Sequence, residues 1–287
     1  MNKLKSVPLL DLTRFDAEQE HEYIDRFKSF LRSGCYIMGP EVNNFEEACG
    51  AYCGTQHTLG VSSGTDALLL ALMTLGIGNG DEVICPSYTF FATAGCIWRV
   101  GATPIFVDSN LTNCNIDTEK IEAAITKKTK AIIPVHLFGE CADMDALMPI
   151  AQKHNLYVIE DAAQAIGAEM HYRGEIRRAG SVGHFGCFSF FPTKNLGGFG
   201  DGGLLTTNNS NLYETAKIMR VHGGHPKYYH HMVGGNFRLD ALQACLLTPK
   251  LSRLDHNTKK RQENAALYTK ILVNEGIGEI IQHQTSL

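Results

Sequence analysis

Hydrophobic residues along this chain fall into short uninterrupted runs that alternate with apolar positions at helical spacing. The runs are rich in Ile and Val and predict strands buried on both faces of a parallel sheet. These runs are residues 82–85, 104–107, 131–135 and 156–159. The helical patterns are residues 64–75, 89–100, 117–125 and 143–154. Repeated strand–helix–strand units predict an α/β fold, a mostly parallel open sheet with helices on both faces.

The pattern changes near residue 251, where a long polar helix is predicted to run through Ile271. Gly276, Gly278 and a short apolar run at residues 279–281 follow. We therefore expect residues 1–250, including the N-terminal segment, to form one large domain. Residues 251–287 are expected to begin a smaller, incomplete C-terminal domain that stops before it can bury a core of its own.

Composition argues against several classes of partner. The chain has 287 residues, 44% of them hydrophobic, and a formal net charge of -4, so we expect neither nucleic acid nor an anionic membrane as a partner. The longest apolar stretch, residues 67–77, contains Thr74 and is typical of a buried helix rather than a membrane span. Nine scattered cysteines without a CxxC pair are typical of reduced thiols, which predicts a cytoplasmic protein.

The most informative stretch is GCFSFFPTKNLGGFGDGG at residues 186–203. An apolar run that carries Ser189 stops at Pro192, and Lys194 follows just before a glycine-rich loop. A lysine at the mouth of an apolar strand can be partly desolvated, which lowers its pKa and frees the amine as a nucleophile. On this stretch alone, a solvated lysine in a surface turn is the simpler interpretation. The GxGxxG pattern at residues 198–203 precedes a strand-like run, so the dinucleotide-binding context is wrong.

Ligands of open α/β sheets bind at the carboxyl ends of the strands, and three further features fall there or at helix starts. The turn with Gly64 and Thr65 offers backbone N–H groups and a helix dipole to a phosphate, although an ordinary N-cap is the alternative. Asp161 ends a predicted strand, where it can keep a heterocyclic ring protonated or simply cap the next turn. Phe90 can stack on a flat cofactor or belong to the core.

A fourth motif, GGNFRLD at residues 234–240, is predicted to open another helix after a loop of histidines. His222, His225, His230 and His231 lack the spacing and the carboxylate companions of a metal site. We therefore expect no metal, and these histidines are interpreted as loop residues.

A lysine amine, a carboxylate, a phosphate cradle and an aromatic plate are together the parts that a pyridoxal phosphate site requires. With these parts in place, the sequence resembles the StrS/DegT family of nucleotide-sugar aminotransferases, which have the aspartate aminotransferase fold (fold type I). Several long motifs carry the resemblance over nearly the whole chain. They are SGTDAL at residues 63–68, PSYTFFATA at 86–94, VIEDAAQAIGA at 158–168, GCFSFFPTKNLG at 186–197 and GGNFRLDALQA at 234–244.

The resemblance implies roles around the cofactor ring. Lys194 would bind pyridoxal phosphate covalently and later carry the proton. Asp161 would pair with the pyridinium nitrogen, Gln164 would approach the side of the ring hydroxyl, and Phe90 would stack on one ring face.

The resemblance also implies a phosphate site that two subunits share. Gly64, Thr65 and Ser189 would bind the phosphate within one subunit. Asn236 would reach the phosphate of the neighbouring subunit, which implies a homodimer with shared active sites.

The implied reaction moves an amino group from an amino acid, expected to be L-glutamate, to a nucleotide-linked keto sugar in amino-sugar or surface-polysaccharide biosynthesis. A family relative with dehydratase activity is one alternative, although that activity usually goes with loss of the lysine that Lys194 represents. Family members continue beyond the position of residue 287 into a small domain, so we expect a truncated chain. A truncated dimerising or regulatory protein without catalysis is the other alternative.

Overall fold

The computed structural model describes residue 8 and residues 10–226 and 228–277. Its strands are β1 (His57–Val61), β2 (Glu82–Pro86), β3 (Thr103–Val107), β4 (Thr129–Ile132), β5 (Tyr157–Asp161), β6 (Glu169–Tyr172), β7 (Glu175–Arg178), β8 (Phe185–Ser189) and β9 (Gly203–Thr207). Its α-helices are α1 (Ala17–Ser33), α2 (Pro40–Cys53), α3 (Gly64–Thr74), α4 (Phe91–Arg99), α5 (Thr118–Ala124), α6 (Met144–Lys153), α7 (Ser210–Met219), α8 (Ala241–Ser252) and α9 (Leu254–Asn274).

Seven of these strands form one sheet in the order β1-β9-β8-β5-β4-β2-β3, while β6 and β7 form a separate antiparallel hairpin. The strands from β8 to β3 run parallel to their neighbours, whereas β9 is antiparallel to both β8 and β1. The expected mostly parallel open sheet is therefore confirmed. Its antiparallel end is a feature that the apolar runs did not reveal.

Helices cover both faces of the sheet because successive strand side chains point to opposite sides. In β2, Val83 and Cys85 join a core that they share with α3, α4 and α7. Ile84 between them joins the opposite core, which contains side chains of α2, α5, α6 and α8. The expected helices on both faces are thus confirmed.

The strand predicted at residues 104–107 differs from the expectation that it is buried on both faces. It is β3, the edge strand of the sheet, and Phe106 in it is 56% exposed. Apolar composition indicated a strand correctly, but it did not indicate that β3 lies at the edge of the sheet formed by the described strands.

The motif at residues 234–240 also differs, because no helix starts at its glycines. α8 begins only after Asp240, which is its N-cap. The residues before it are held by other backbone segments: the Phe237 N–H donates to the Arg220 carbonyl, and the Phe237 carbonyl accepts from the Ser62 N–H. These bonds attach the motif to the end of α7 and to the turn that leads into α3.

The C-terminal domain boundary stays a prediction. α8 belongs to the large core through Leu247 and Leu251, and the polar helix α9 follows, with Leu254 buried at its start. Residues 278–287, including the apolar run at 279–281, lie outside the described residues. In the described part of the chain, no helix combines the length and the apolar character that crossing a membrane requires.

A fully buried carboxylate joins β5 to the loop before β8. Glu160 accepts hydrogen bonds from three backbone N–H groups in residues 180–183, at 2.6 to 2.9 Å. His136 Nδ1 accepts from the Ala142 N–H, so Nε2 carries the ring proton and donates to Glu160 at 2.8 Å. Burial disfavours the charge, but the hydrogen bonds outweigh it and hold the pKa of Glu160 below its usual value.

We expect Glu160→Gln to lower the free energy of unfolding by about 3 kcal/mol at pH 7, because the amide NH₂ would face backbone donors and leave them unpaired. Glu175→Gln is the matched control. The Glu175 side chain is exposed beside Arg177, so its loss should cost less than about 0.5 kcal/mol. Urea unfolding followed by circular dichroism measures both variants, and equal losses would contradict the role of Glu160.

The comparison of wild type with Glu160→Gln should also depend on pH. The folded-state pKa of Glu160 is lowered, so its stabilisation is fully present above the unfolded-state pKa and is lost as the pH falls through the folded-state pKa. The stability difference between wild type and Glu160→Gln should therefore narrow towards acidic pH.

Candidate active site

Several chain segments meet in one cavity of about 390 Å³, at the edge where the parallel strands end. Seven of the eight residues predicted from the sequence line this cavity. They are Gly64, Thr65, Phe90, Asp161, Gln164, Ser189 and Lys194. The eighth, Asn236, is exposed and is not among the lining residues.

The candidate phosphate cradle is the N-terminus of α3. Ser63 is its N-cap and accepts a first-turn backbone N–H at 3.0 Å, while the N–H groups of Gly64 and Thr65 have no acceptor within the helix. A Cβ on Gly64 would lie 2.7 Å from the Ser189 Cβ, and a Cβ on Gly203 would lie 2.5 Å from the Ser63 carbonyl carbon. Because both glycines lack that atom, α3 can begin directly against β8 and β9.

Lys194 follows β8 and lies half-buried in the cavity. Its backbone N–H donates to the Phe191 carbonyl at 2.8 Å, which closes a turn after the apolar run. Burial lowers the pKa of the Lys194 amine, and the nearby Asp161 carboxylate partly opposes this. A lowered pKa increases the neutral fraction of the amine, which is the form that attacks a carbonyl or accepts a proton.

The glycine-rich loop after Lys194 is fixed by α8. The Phe199 N–H donates to Gln243 Oε1 at 2.9 Å, and Lys250 Nζ donates to the Gly197 carbonyl at 2.6 Å. The Lys250 ammonium also lies 4.2 Å from the centre of the Phe199 ring, a cation–π contact. Burial lowers the pKa of Lys250 as it does for Lys194, but Lys250 is not among the residues that line the cavity.

Asp161 is the last residue of β5 and is 5% exposed. Its Oδ2 accepts from the Thr93 hydroxyl at 2.7 Å, and its Oδ1 accepts from the Ala163 N–H at 3.2 Å. Burial raises the pKa of Asp161, and the two hydrogen bonds and Lys194 partly offset that effect. Lone pairs of the carboxylate remain for a donor placed in the cavity.

The other predicted residues differ in how they are held. Phe90 lines the cavity but is 75% exposed, so its ring can contact a ligand. Gln164 Oε1 accepts from the Phe138 N–H at 2.9 Å, which orients the side chain and leaves its NH₂ hydrogens as donors. Asn236 forms an antiparallel bridge with Val221, and its contact with a neighbouring subunit stays a prediction.

Sequence reasoning missed Thr89, His136 and Asp201, which also line the cavity, and Thr93, which binds Asp161. Thr89 and His136 follow β2 and β4 at the same sheet edge, so the strand-end rule finds them when it is applied to every strand. No spacing indicates Thr93, because the packing of α4 on the sheet is what brings its hydroxyl to Asp161.

A model of the DegT/DnrJ/EryC1/StrS aminotransferase family matches residues 17–286. The chain belongs to this family. The resemblance that the motifs indicated is therefore confirmed, and so is the expectation of a pyridoxal phosphate-dependent transaminase of the sugar aminotransferase class. The solved structures of the family also confirm the fold type I architecture.

Three known proteins illustrate the similarity. The pleiotropic regulatory protein of Geobacillus stearothermophilus is 48% identical over 276 residues, 96% of this chain and 73% of that protein. The dTDP-3-amino-3,4,6-trideoxy-alpha-D-glucose transaminase of Streptomyces venezuelae is 45% identical over 273 residues, 95% of this chain and 71% of that protein. The crystal structure of NtdA from Bacillus subtilis with bound cofactor PMP has a TM-score of 0.86 at 33% identity, covering 96% of this chain and 63% of that one.

The cavity residues fit pyridoxal phosphate chemically. The N-terminus of α3 and the Ser189 hydroxyl suit a phosphate, and the close contacts at Gly64 and Gly203 hold those donors in place. The Asp161 carboxylate suits a protonated ring nitrogen, and the Lys194 amine suits an aldehyde. Within the described ranges, no group of three or more His, Cys, Asp or Glu side chains is arranged to hold a metal ion.

Proposed function

We propose that this protein is a pyridoxal phosphate-dependent aminotransferase that moves an amino group from an amino acid to a nucleotide-linked keto sugar. One observation carries the proposal: a half-buried amine, a buried carboxylate and the N-terminus of α3 surround the same cavity. Family membership and the sugar-nucleotide transaminase among the relatives support this type of acceptor. L-Glutamate is the proposed donor, and amino-sugar or surface-polysaccharide biosynthesis is the proposed context.

In this proposal, the cofactor is held at both ends. The N–H groups of Gly64 and Thr65 and the Ser189 hydroxyl bind its phosphate at the positive end of the α3 dipole. Phe90 contacts a face of the ring, and Gln164 donates towards the ring hydroxyl. Backbone N–H groups supply most of the phosphate contacts and cannot reorient freely. They therefore orient the reactive end of the cofactor towards Lys194.

The proposed chemistry divides between two side chains. Pyridoxal phosphate supplies an electron-withdrawing ring that stabilises negative charge on the carbon next to the transferred nitrogen. Asp161 holds the proton on the ring nitrogen, and its burial strengthens that interaction because the local dielectric is low. Lys194 Nζ moves a proton on and off the reacting carbon, a role that its lowered pKa suits because the neutral amine is the acceptor.

We also propose a homodimer in which Asn236 reaches the phosphate in the site of the other subunit. Asn236 is exposed and is not among the residues that line the cavity of its own chain. Beside that cavity, the exposed aromatic side chains of Phe91, Trp98 and Phe106 form an apolar surface that a second copy would cover. A cytoplasmic location is part of the same proposal, because the nine cysteines all fall in the described residues and are free thiols.

Lys194 and Lys250 make a matched pair for locating the covalent attachment. Reduction of the protein with borohydride in the presence of pyridoxal phosphate should leave the pyridoxyl group on Lys194, as read by peptide mass spectrometry. Lys194→Arg should abolish both the label and amine transfer. Lys250→Arg should keep the label on Lys194, because Lys250 bonds to Gly197 and is not among the cavity-lining residues. A label that resides mainly on Lys250 would refute the assignment.

Mixed dimers test the shared phosphate site. Lys194→Ala and Asn236→Ala proteins are each expected to bind pyridoxal phosphate more weakly than wild type. When they are mixed and allowed to exchange subunits, one site in each mixed dimer combines an intact Lys194 with an intact Asn236 from the other subunit. Tight binding and activity should therefore return in the mixture. A mixture no better than its components would show that Asn236 acts within its own subunit or not at all.

A substrate screen tests the reaction itself. Nitrogen-labelled L-glutamate, pyridoxal phosphate and a panel of keto sugars linked to different nucleotides are incubated with the protein, and products are read by mass spectrometry. Label in an amino sugar is the expected result, and Lys194→Ala is the control that should lose it. A dehydrated sugar without label would indicate the dehydratase alternative. Bound cofactor without either product would favour the alternative of a regulatory protein without catalysis. The Geobacillus relative is named a regulatory protein.

A further inference from the structure

Two hydroxyl groups connect the cavity to Asp161 from the side of α4. Thr93 lies in the first turn of α4 and is fully buried, and its hydroxyl is 2.7 Å from Asp161 Oδ2. The Thr89 hydroxyl is 2.9 Å from that of Thr93, and Thr89 lines the cavity. The connection therefore runs from the cavity through a buried hydroxyl to the carboxylate.

Proton counting gives this connection a direction. A hydroxyl has one hydrogen to donate, and an ionised carboxylate can only accept. Thr93 therefore donates to Asp161, and Thr89 donates to Thr93. A threonine in a helix commonly donates to a carbonyl of the preceding turn. Thr93 instead gives its hydrogen to a side chain 68 positions away in sequence.

We propose that Thr93 is a positioning residue for transamination: its hydroxyl, oriented by Thr89, holds the Asp161 carboxylate charged and aimed at the cavity. The inference rests on the proposed function, in which Asp161 receives a ring N–H. Thr93 holds Oδ2 and the Ala163 N–H holds Oδ1, so the carboxylate is fixed through both oxygens before any ligand arrives. Such preorganisation avoids a reorientation cost when the ring proton is bound.

Other titratable groups also face Asp161. Lys194 and His136 approach it from the segments after β8 and β4, and the Lys194 ammonium favours its charged form. Cys96 of α4 and Cys187 of β8 are neutral thiols, because burial raises the pKa of Cys96 to about 12 and that of Cys187 well above its usual value. From these elements, Thr93 is the group that donates a side-chain hydrogen bond to the carboxylate.

The direction of the expected effect follows from these contacts. Burial raises the pKa of Asp161, and the hydrogen bond from Thr93 lowers it. Glu160, the preceding residue, carries a charge that is already paired with His136 and backbone N–H groups. Removing the Thr93 hydroxyl should therefore raise the pKa of Asp161. Cofactor affinity would then be lost at a higher pH, because a protonated carboxyl cannot stabilise a protonated ring.

The test measures the dissociation constant of pyridoxal phosphate against pH by absorbance titration, for wild type, Thr93→Val and Thr93→Ser. Valine keeps the shape of threonine without the hydroxyl, and serine keeps the hydroxyl without the methyl group. The acidic limb of the affinity curve is the range in which binding weakens as the pH falls. For Thr93→Val this limb should lie about one pH unit higher, so that affinity at a given acidic pH is about tenfold weaker. Thr93→Ser should follow wild type. All other titrating groups are common to the three proteins, so the displacement reports Asp161.

Two further variants keep the test decisive. If circular dichroism shows that valine disturbs the fold, Thr93→Ala removes the hydroxyl without adding bulk. Thr93→Ala should shift the limb in the same way. Thr89→Val should give a smaller shift in the same direction. An unmoved limb in the proteins without the hydroxyl, or an equal shift in Thr93→Ser, would overturn the inference and leave the proposed function intact. A wild type that binds no pyridoxal phosphate at any pH would overturn the proposed function, and the inference with it.

Discussion

The close approach of α3 to β8 and β9 is the constraint on which the rest of the site depends. Gly64 and Gly203 stand at the two contacts where a Cβ would collide with Ser189 and with the Ser63 backbone. That contact places helix N–H groups beside the end of β8, the strand that leads to Lys194. The distance between the proposed phosphate site and the Lys194 segment is therefore set by backbone packing rather than by flexible side chains.

Two adjacent carboxylates in β5 have different roles: one stabilises the fold and the other faces the cavity. Successive residues point to opposite faces, so Glu160 and Asp161 enter different surroundings. Glu160 accepts three backbone N–H groups and one ring N–H, and its pKa is lowered. Asp161 accepts fewer donors, its pKa is raised, and it lines the cavity. The carboxylate with unused lone pairs is the one available to a ligand.

The sequence predicted which residues line the cavity better than it predicted the edges of the fold. Asp161, Ser189 and Lys194 were found because strand ends can be read from apolar runs, and those ends meet at one edge of a parallel sheet. The exposure of β3 and the late start of α8 were missed because each depends on a neighbour that is distant in sequence. Thr93 was missed for the same reason, since the packing of α4 on the sheet brings its hydroxyl to Asp161.

The same helix supports both parts of the proposed shared site. α8 begins after its N-cap Asp240, which follows the segment that carries Asn236, and its Gln243 and Lys250 hold the loop that follows Lys194. A second subunit that engages Asn236 would therefore act on a segment whose continuation fixes the Lys194 loop. The proposed contact between Asn236 and the phosphate needs both the second subunit and the cofactor, so dimerisation and cofactor binding would each strengthen the other.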